Sequence, residues 1–343
     1  MTSGVSKEEM GLLSRILDRL CLTPLGALLL IILALLPLIP PFGEEYMLRW
    51  LTLIAVTAAS AIAFDLTAGF VNIVNFGFNA ILGLGSYTSA LLAVKLGLTP
   101  WVGIFAGALA AGILGFLTGV LTLRLRGIFA AVMAWFIGLA LMGLAIKMVW
   151  LTRGPLGLRV PRMIENEANQ PYYYIMLIML FITYVICRWT TRTKMGLAFK
   201  AIGQNMEAAR TSGVNPTFYR VANFTLSCTI AGWIGGFYAH YMGILTPELM
   251  HTSKTVEVLA VAYIGGRGTL WGGAFIAFPF LVAMELIRSA ASNMPGINLV
   301  IYGIILILVM IYLPGGAASL YYRFLYKPWG KFWKFMIGYK ENQ

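Results

Sequence analysis

GLAFKAIGQNMEAARTSGVNP, residues 196–216, is a polar, basic island between two strongly apolar segments. Its middle reads as a short helix with both ends marked. Asn205 suits the N-cap, and Glu207 places negative charge in the first turn, where the helix dipole favours it. Gly213 fits the left-handed position after the last turn, and Pro216 is expected to stop any continuation. About two turns remain, too few to be stable alone in water. Ala208 and Ala209 are small enough to let another surface approach closely. A capped helix that cannot support itself, set between apolar runs, implies a membrane protein with a loop that docks on a partner.

The composition agrees with that reading. The chain has 343 residues, of which 59% are hydrophobic and 11% charged, and this excludes a soluble globular domain. Apolar spans are expected at 25–41, 47–67, 77–95, 101–122, 128–150, 172–188, 218–243, 270–287 and 297–314. Residues 255–264 form a further apolar run, too short to cross by itself. The net charge of +12 does not imply a nucleic-acid partner, because the basic residues sit in loops and tails. Cys21, Cys187 and Cys228 lack metal or redox spacing and read as packing residues. The first apolar run ends in PLIPP, so no cleavable signal is expected.

Loop charge orients the spans. Arg124 and Arg126 form one basic loop, and Arg188, Arg192, Lys194, Lys200, Arg210 and Arg220 form another. Arg323, Lys327, Lys331, Lys334 and Lys340 decorate the C-terminal tail, whereas Glu44 and Glu45 fall in an opposite loop. The basic loops and both termini are therefore expected on the cytoplasmic side. Two passages through 255–288, joined by a re-entrant turn at Gly265, Gly266 and Gly268, keep the tail inside. The fold class is then an all-α integral membrane protein with about ten membrane segments, some broken or re-entrant. Residues 1–23 carry leucine and isoleucine at helical spacing and read as an amphipathic cytoplasmic segment. Residues 24–316 form the membrane domain, and 317–343 form a basic cytoplasmic tail. Gly103 with Gly107, Gly115 with Gly119, and the series Ser227, Ala231, Gly235 are small-residue stripes that let helices approach closely.

Catalytic chemistry finds little support. His240 and His251 are the only histidines, Asp18 and Asp65 the only aspartates, and neither HExxH nor GxSxG occurs. His240 reads as an interfacial residue rather than a metal ligand. GGRGTLWGG, 265–273, lacks the ending of a phosphate loop. No catalytic residue, metal or cofactor is expected. A substrate path is better sought in AGFVNIVNFGFNAILGLGSYTSA, 68–90. Asn72, Asn75 and Asn79 recur at helical spacing and would share one face, while Gly69, Gly77, Gly83 and Gly85 interrupt the helix. Broken helices with polar residues at mid-depth build substrate sites in many transporters. The alternative is that each asparagine bonds a neighbouring helix, for about 0.6 kcal/mol. Glu257 and Glu285 lie near segment ends and read as structural, and Lys147 is expected near the outer interface. No acidic relay crosses the membrane, so energy comes from elsewhere or the protein is a passive channel. A membrane-embedded enzyme would need reactive groups that this chain scarcely has.

EAARTSG, 207–213, matches the E-A-A-x-x-x-G core of the cytoplasmic loop in permease subunits of ATP-binding-cassette (ABC) importers. The wider 196–227 stretch, the 68–92 stretch, LTRGPLGL at 151–158, AYIGGRGTLWGGAF at 262–275 and LILVMIYLPGG at 306–316 follow in family order. Together they resemble the branched-chain amino-acid permeases of the LivM type, over roughly residues 50 to 316. The resemblance implies a prokaryotic inner-membrane importer with a second homologous permease, two cytoplasmic ATPase subunits and an extracytoplasmic solute-binding protein. It assigns Glu207, Ala208, Ala209 and Gly213 to a helix seated on the ATPase. Gly203-Gln204 replaces the basic-acidic pair usual in relatives, and Phe70 replaces a common glutamine. The second departure leaves the substrate open between branched-chain amino acids and the urea, short amides or aromatic acids carried by similar permeases.

Overall fold

The computed structural model describes residues 33–38, 43–122, 125, 128–164, 168–290, 297–312 and 315–320. The expected amphipathic segment 1–23, most of the first span, Arg124, Arg126 and the tail beyond 320 lie outside the described residues. The described residues are mainly helical and contain one two-residue ladder, between β1 (Leu158–Arg159) and β2 (Ile244–Leu245). The long helices are α1 (Glu45–Asp65), α2 (Phe78–Leu96), α3 (Pro100–Thr122), α4 (Ile128–Lys147) and α5 (Gln170–Arg192). Two short ones follow, α6 (Lys194–Gln204) and α7 (Met206–Thr211), and then α8 (Pro216–Met242). A hairpin of α9 (Thr252–Gly265) and α10 (Trp271–Ala290) precedes α11 (Ile297–Tyr312).

Four of these helical stretches are each long and apolar enough to cross a bilayer: Glu45–Phe70, Pro100–Thr122, Ile128–Lys147 and Gln170–Arg192. Their burial separates their roles. The window of α1 is 89% buried, whereas those of α3 and α4 are 39% and 28% buried. Helix α1 is therefore a central post. Helices α3 and α4 turn Phe105, Leu109, Phe129 and Phe136 outward, as a lipid-facing wall does.

The small-residue stripes bring α2, α3 and α8 together. A Cβ on Gly107 would stand 2.5 Å from the carbonyl oxygen of Gly85, and one on Gly235 would stand 2.1 Å from that of Leu82. These gaps admit only glycine, and they explain why packing in lipid selects small residues. Gly83 and Gly85 do not interrupt α2, contrary to the sequence expectation. Both lie inside it, facing Met250 and Gly232, and serve close packing rather than a break.

Two ends of the molecule can be told apart. At the basic end, buried Arg220 donates from Nη2 to the carbonyls of Thr122 (3.0 Å) and Leu125 (3.2 Å). It thereby satisfies the end of α3 and joins that loop to the start of α8. At the opposite end, Asn169 donates its backbone N–H to Glu45 Oε2 at 3.0 Å, linking the starts of α1 and α5. His240 is buried there, not interfacial. Its Nδ1 lies 2.8 Å from the carbonyl of Pro161, which can only accept, so Nε2 accepts from the Ser89 hydroxyl at 2.9 Å. Lys147 is the exposed last residue of α4, as its charge demands.

Candidate functional site

The loop at the basic end is built from local bonds. Asn205 Oδ1 accepts from the backbone N–H of Glu207 (3.0 Å) and Ala208 (3.1 Å), capping α7. At the other end Gly213 has φ +83°, and its N–H bonds the carbonyl of Arg210 while that of Val214 reaches back to Ala209. Those two bonds, with a left-handed residue between them, are a Schellman motif. The helix has six residues, shorter than the two turns expected. Pro216 does not merely stop it. Asn215 accepts from Thr217 and Phe218, so Pro216 is the first residue of α8, where a missing N–H is harmless.

The two alanines of α7 face different ways. Ala209 is buried and joins the main apolar core with Val214 and Met206 packed nearby. Ala208 is exposed beside Glu207 and Arg210. Only one of the pair is therefore free to meet another surface. Behind α7, helix α6 leans on the interior of the protein. A Cβ on Gly203 would fall 2.2 Å from the carbonyl oxygen of Phe70, and Lys200 Nζ lies 5.6 Å from the Phe70 ring centre. The exposed loop and the end of the central post are thus in direct contact.

That contact falls on a broken stretch. After Asp65, α1 widens into a π turn over Leu66–Phe70, and regular structure resumes only at Phe78. Asn72 has φ +60° and so leaves the helix. The three asparagines consequently do not share a helical face. Asn72 is exposed and accepts from Arg267 Nη2 at 3.1 Å. Asn75 is fully buried, with Oδ1 accepting from the Gly77 N–H at 3.1 Å. Asn79 sits in the first turn of α2 and lines a cavity. Gly69 and Gly77 are close-contact residues. Cβ atoms there would stand 2.4 Å from the Gly268 nitrogen and 2.2 Å from the Ala134 carbonyl oxygen, respectively.

Asp65 holds this region, and sequence reasoning gave it no role. Its Oδ1 accepts from the N–H of Gly268 (2.8 Å) and its Oδ2 from that of Leu270 (3.0 Å). The turn between α9 and α10 has Gly266 at φ +115° and Gly268 at φ +71°, and its free amides need acceptors. A carboxylate at the end of an apolar span supplies them. The signal was there to read, since an acidic residue in so apolar a segment requires donors nearby. On the other side of the post, Asn223 Nδ2 donates to the Leu66 carbonyl (2.9 Å) and Ser227 Oγ to that of Ala63 (2.7 Å). These two bonds tie α8 to the end of the post on either side of the start of the π turn.

A cavity of about 400 Å³ opens between α1, α2, α8, α9 and α10, with Ser60, Asn79, Tyr238, Lys254, Glu257 and Glu285 in its lining. No group of three or more His, Cys, Asp and Glu among the described residues is placed to hold a metal ion. The arrangement offers a polar-rimmed chamber in the helix bundle, a charged hairpin tip, and a surface helix in mechanical contact with the post between them.

Residues 46–310 match the family described as branched-chain amino acid transport system / permease component. The chain is 25% identical to the high-affinity branched-chain amino acid transport system permease protein LivM of Salmonella typhimurium, over 74% of this chain and 65% of that protein. It thus spans about two thirds of that relative's length. It is 26% identical to the nucleoside ABC transporter permease protein NupC of Lactococcus lactis, over 49% and 58% of the two chains. With the fructose import permease protein FrcC of Rhizobium meliloti the identity is 22%, over 71% of each. No solved structure matches.

Proposed function

Because the chain belongs to the family of branched-chain amino acid transport permease components, we propose that it is one of two related permeases in an ATP-driven importer of amino acids, branched-chain ones first. In this reading it sits in a prokaryotic inner membrane with both termini in the cytoplasm. Two cytoplasmic ATPase subunits drive it, and an extracytoplasmic solute-binding protein delivers the substrate. The chain performs no hydrolysis itself. Sugars and nucleosides are the second reading, because permeases for fructose and nucleosides match at similar identity.

The observation that carries the proposal is the mounting of α7. Its outward side carries Glu207, Ala208 and Arg210, its inward side is anchored by Ala209, and α6 behind it touches Phe70. ATP-driven closure of the partner subunits would push α7 and α6 as one piece. The push reaches the carbonyl of Phe70, and Gly69 lies against the hairpin tip at Gly268. Movement at the surface is thereby delivered to the break in the post and to the hairpin tip beside it, which is where access can alternate.

Gly213→Val tests this. Nothing lies within 4 Å of a Cβ at Gly213, so the substitution acts through the backbone rather than through crowding at that atom. A β-branched residue at φ +83° is strained, and it should undo the Schellman end of α7. The expected outcome in a reconstituted importer is normal insertion and continuing ATP hydrolysis with lost uptake. Normal uptake by this variant would count heavily against the proposal.

A further inference from the structure

The loop between α4 and α5 carries basic charge at the end of the molecule opposite Arg220. Lys147, Arg153, Arg159 and Arg162 fall within 147–164 with no acidic residue among them, and all four are exposed. Four basic residues against the following Glu165 and Glu167 leave 147–167 net positive. On the importer reading this end faces away from the cytoplasm, where basic residues are usually scarce in short loops. An excess held there against that bias calls for an acidic partner.

The loop is mounted stiffly. Thr152 Oγ1 donates to the Ala145 carbonyl of α4 at 2.6 Å and accepts from the Gly154 N–H at 3.2 Å. The Val160 N–H donates to the Gly243 carbonyl at 2.8 Å, and buried His240 holds the Pro161 carbonyl. In the ladder between these anchors Arg159 stands opposite Ile244. Leu158 and Leu245 are buried, so the alternation turns Arg159 and Ile244 outward on one face. Leu156, just before β1, is 86% exposed, and Arg153 is exposed at the preceding turn. Exposed apolar side chains among arginines have the make-up of a protein interface. Fluid lipid headgroups need no such fixed mounting, and anionic ones enrich the cytoplasmic leaflet.

We propose that this braced loop is the seat on this chain for an acidic face of the solute-binding protein. Arg153 and Arg159 pair with carboxylates of that face, and Leu156 and Ile244 pack against its apolar surface. His240, far from any chemistry, keeps the seat in shape through Pro161. The proposal rests on the importer reading above and adds to it the docking surface and the charge of its partner.

The test is equilibrium binding of the importer's solute-binding protein to the complex of permeases and ATPases in nanodiscs of zwitterionic lipid. Affinity is read between about 50 and about 300 mM salt, a range over which exposed charges become screened. Wild-type affinity should weaken as salt rises. The double variant Arg153→Asn with Arg159→Gln should bind about tenfold more weakly at low salt, with a shallower salt dependence. Asparagine is chosen at 153 because φ there is +61°, which it tolerates well. Leu156→Ser should weaken binding too, but leave the salt dependence as it is. ATP hydrolysis without the solute-binding protein, unchanged in each variant, shows that the complex has assembled. Wild-type affinity and salt dependence in both variants overturn the seat and leave the importer reading standing. A wild-type complex that neither binds a solute-binding protein nor takes up substrate overturns both.

Discussion

The six-residue helix α7 and the break at residues 66–77 are both interruptions between long helices, yet they are held by opposite means. The bonds that cap α7 all come from residues within ten positions of it: Asn205 at one end and Gly213 with Val214 at the other. The break is held from far away along the chain. Asn223 reaches Leu66 across 157 residues, and Asp65 reaches Leu270 across 205. The first is a part made to keep its own shape while being pushed. The second keeps its shape only while its neighbours stay in place, which is the property a gate requires.

The largest expected effect comes from removing the distant support. Asp65→Ala leaves the amides of Gly268 and Leu270 unmet, at about 1–3 kcal/mol for each buried donor. The melting temperature of the purified protein should fall clearly, and protease should cut within 266–270. An unchanged melting temperature would mean that the hairpin supports itself, and the contrast with α7 would disappear.

Asn205→Ala is the matching change at the other interruption, and its effect should be smaller and local. Loss of the cap is worth about 1 kcal/mol. Amide exchange at Glu207 and Ala208 should quicken about fivefold with little change in melting temperature. Asn205→Asp, which keeps an acceptor in place, should leave exchange as it is. A global destabilisation from Asn205→Ala would show that α7 is not locally held.

The same division explains what could be read without coordinates. The caps of α7 were legible because caps are local chemistry, and the close-packing stripes were legible because glycine spacing in an apolar span has one dominant use. Gly83 and Gly85 were misread as breakers for want of their partners, Met250 and Gly232. Spacing placed Asn72, Asn75 and Asn79 on one helical face, but a π turn and a left-handed Asn72 scatter them to an exposed tip, a buried contact and a cavity wall. A helical period is informative only while the backbone stays helical, and here contacts from α8 and the hairpin decide that it does not.

The central claim is that the surface loop drives the interior break through the contact of α6 with Phe70. Gly203→Ala tests it most directly, since the added methyl would stand 2.2 Å from the Phe70 carbonyl oxygen and must push the two apart. The measurement is substrate taken up per ATP hydrolysed, in the complete reconstituted importer, with assembly checked. The account predicts that hydrolysis continues while uptake per ATP falls several-fold. A wild-type ratio in the assembled variant would contradict it.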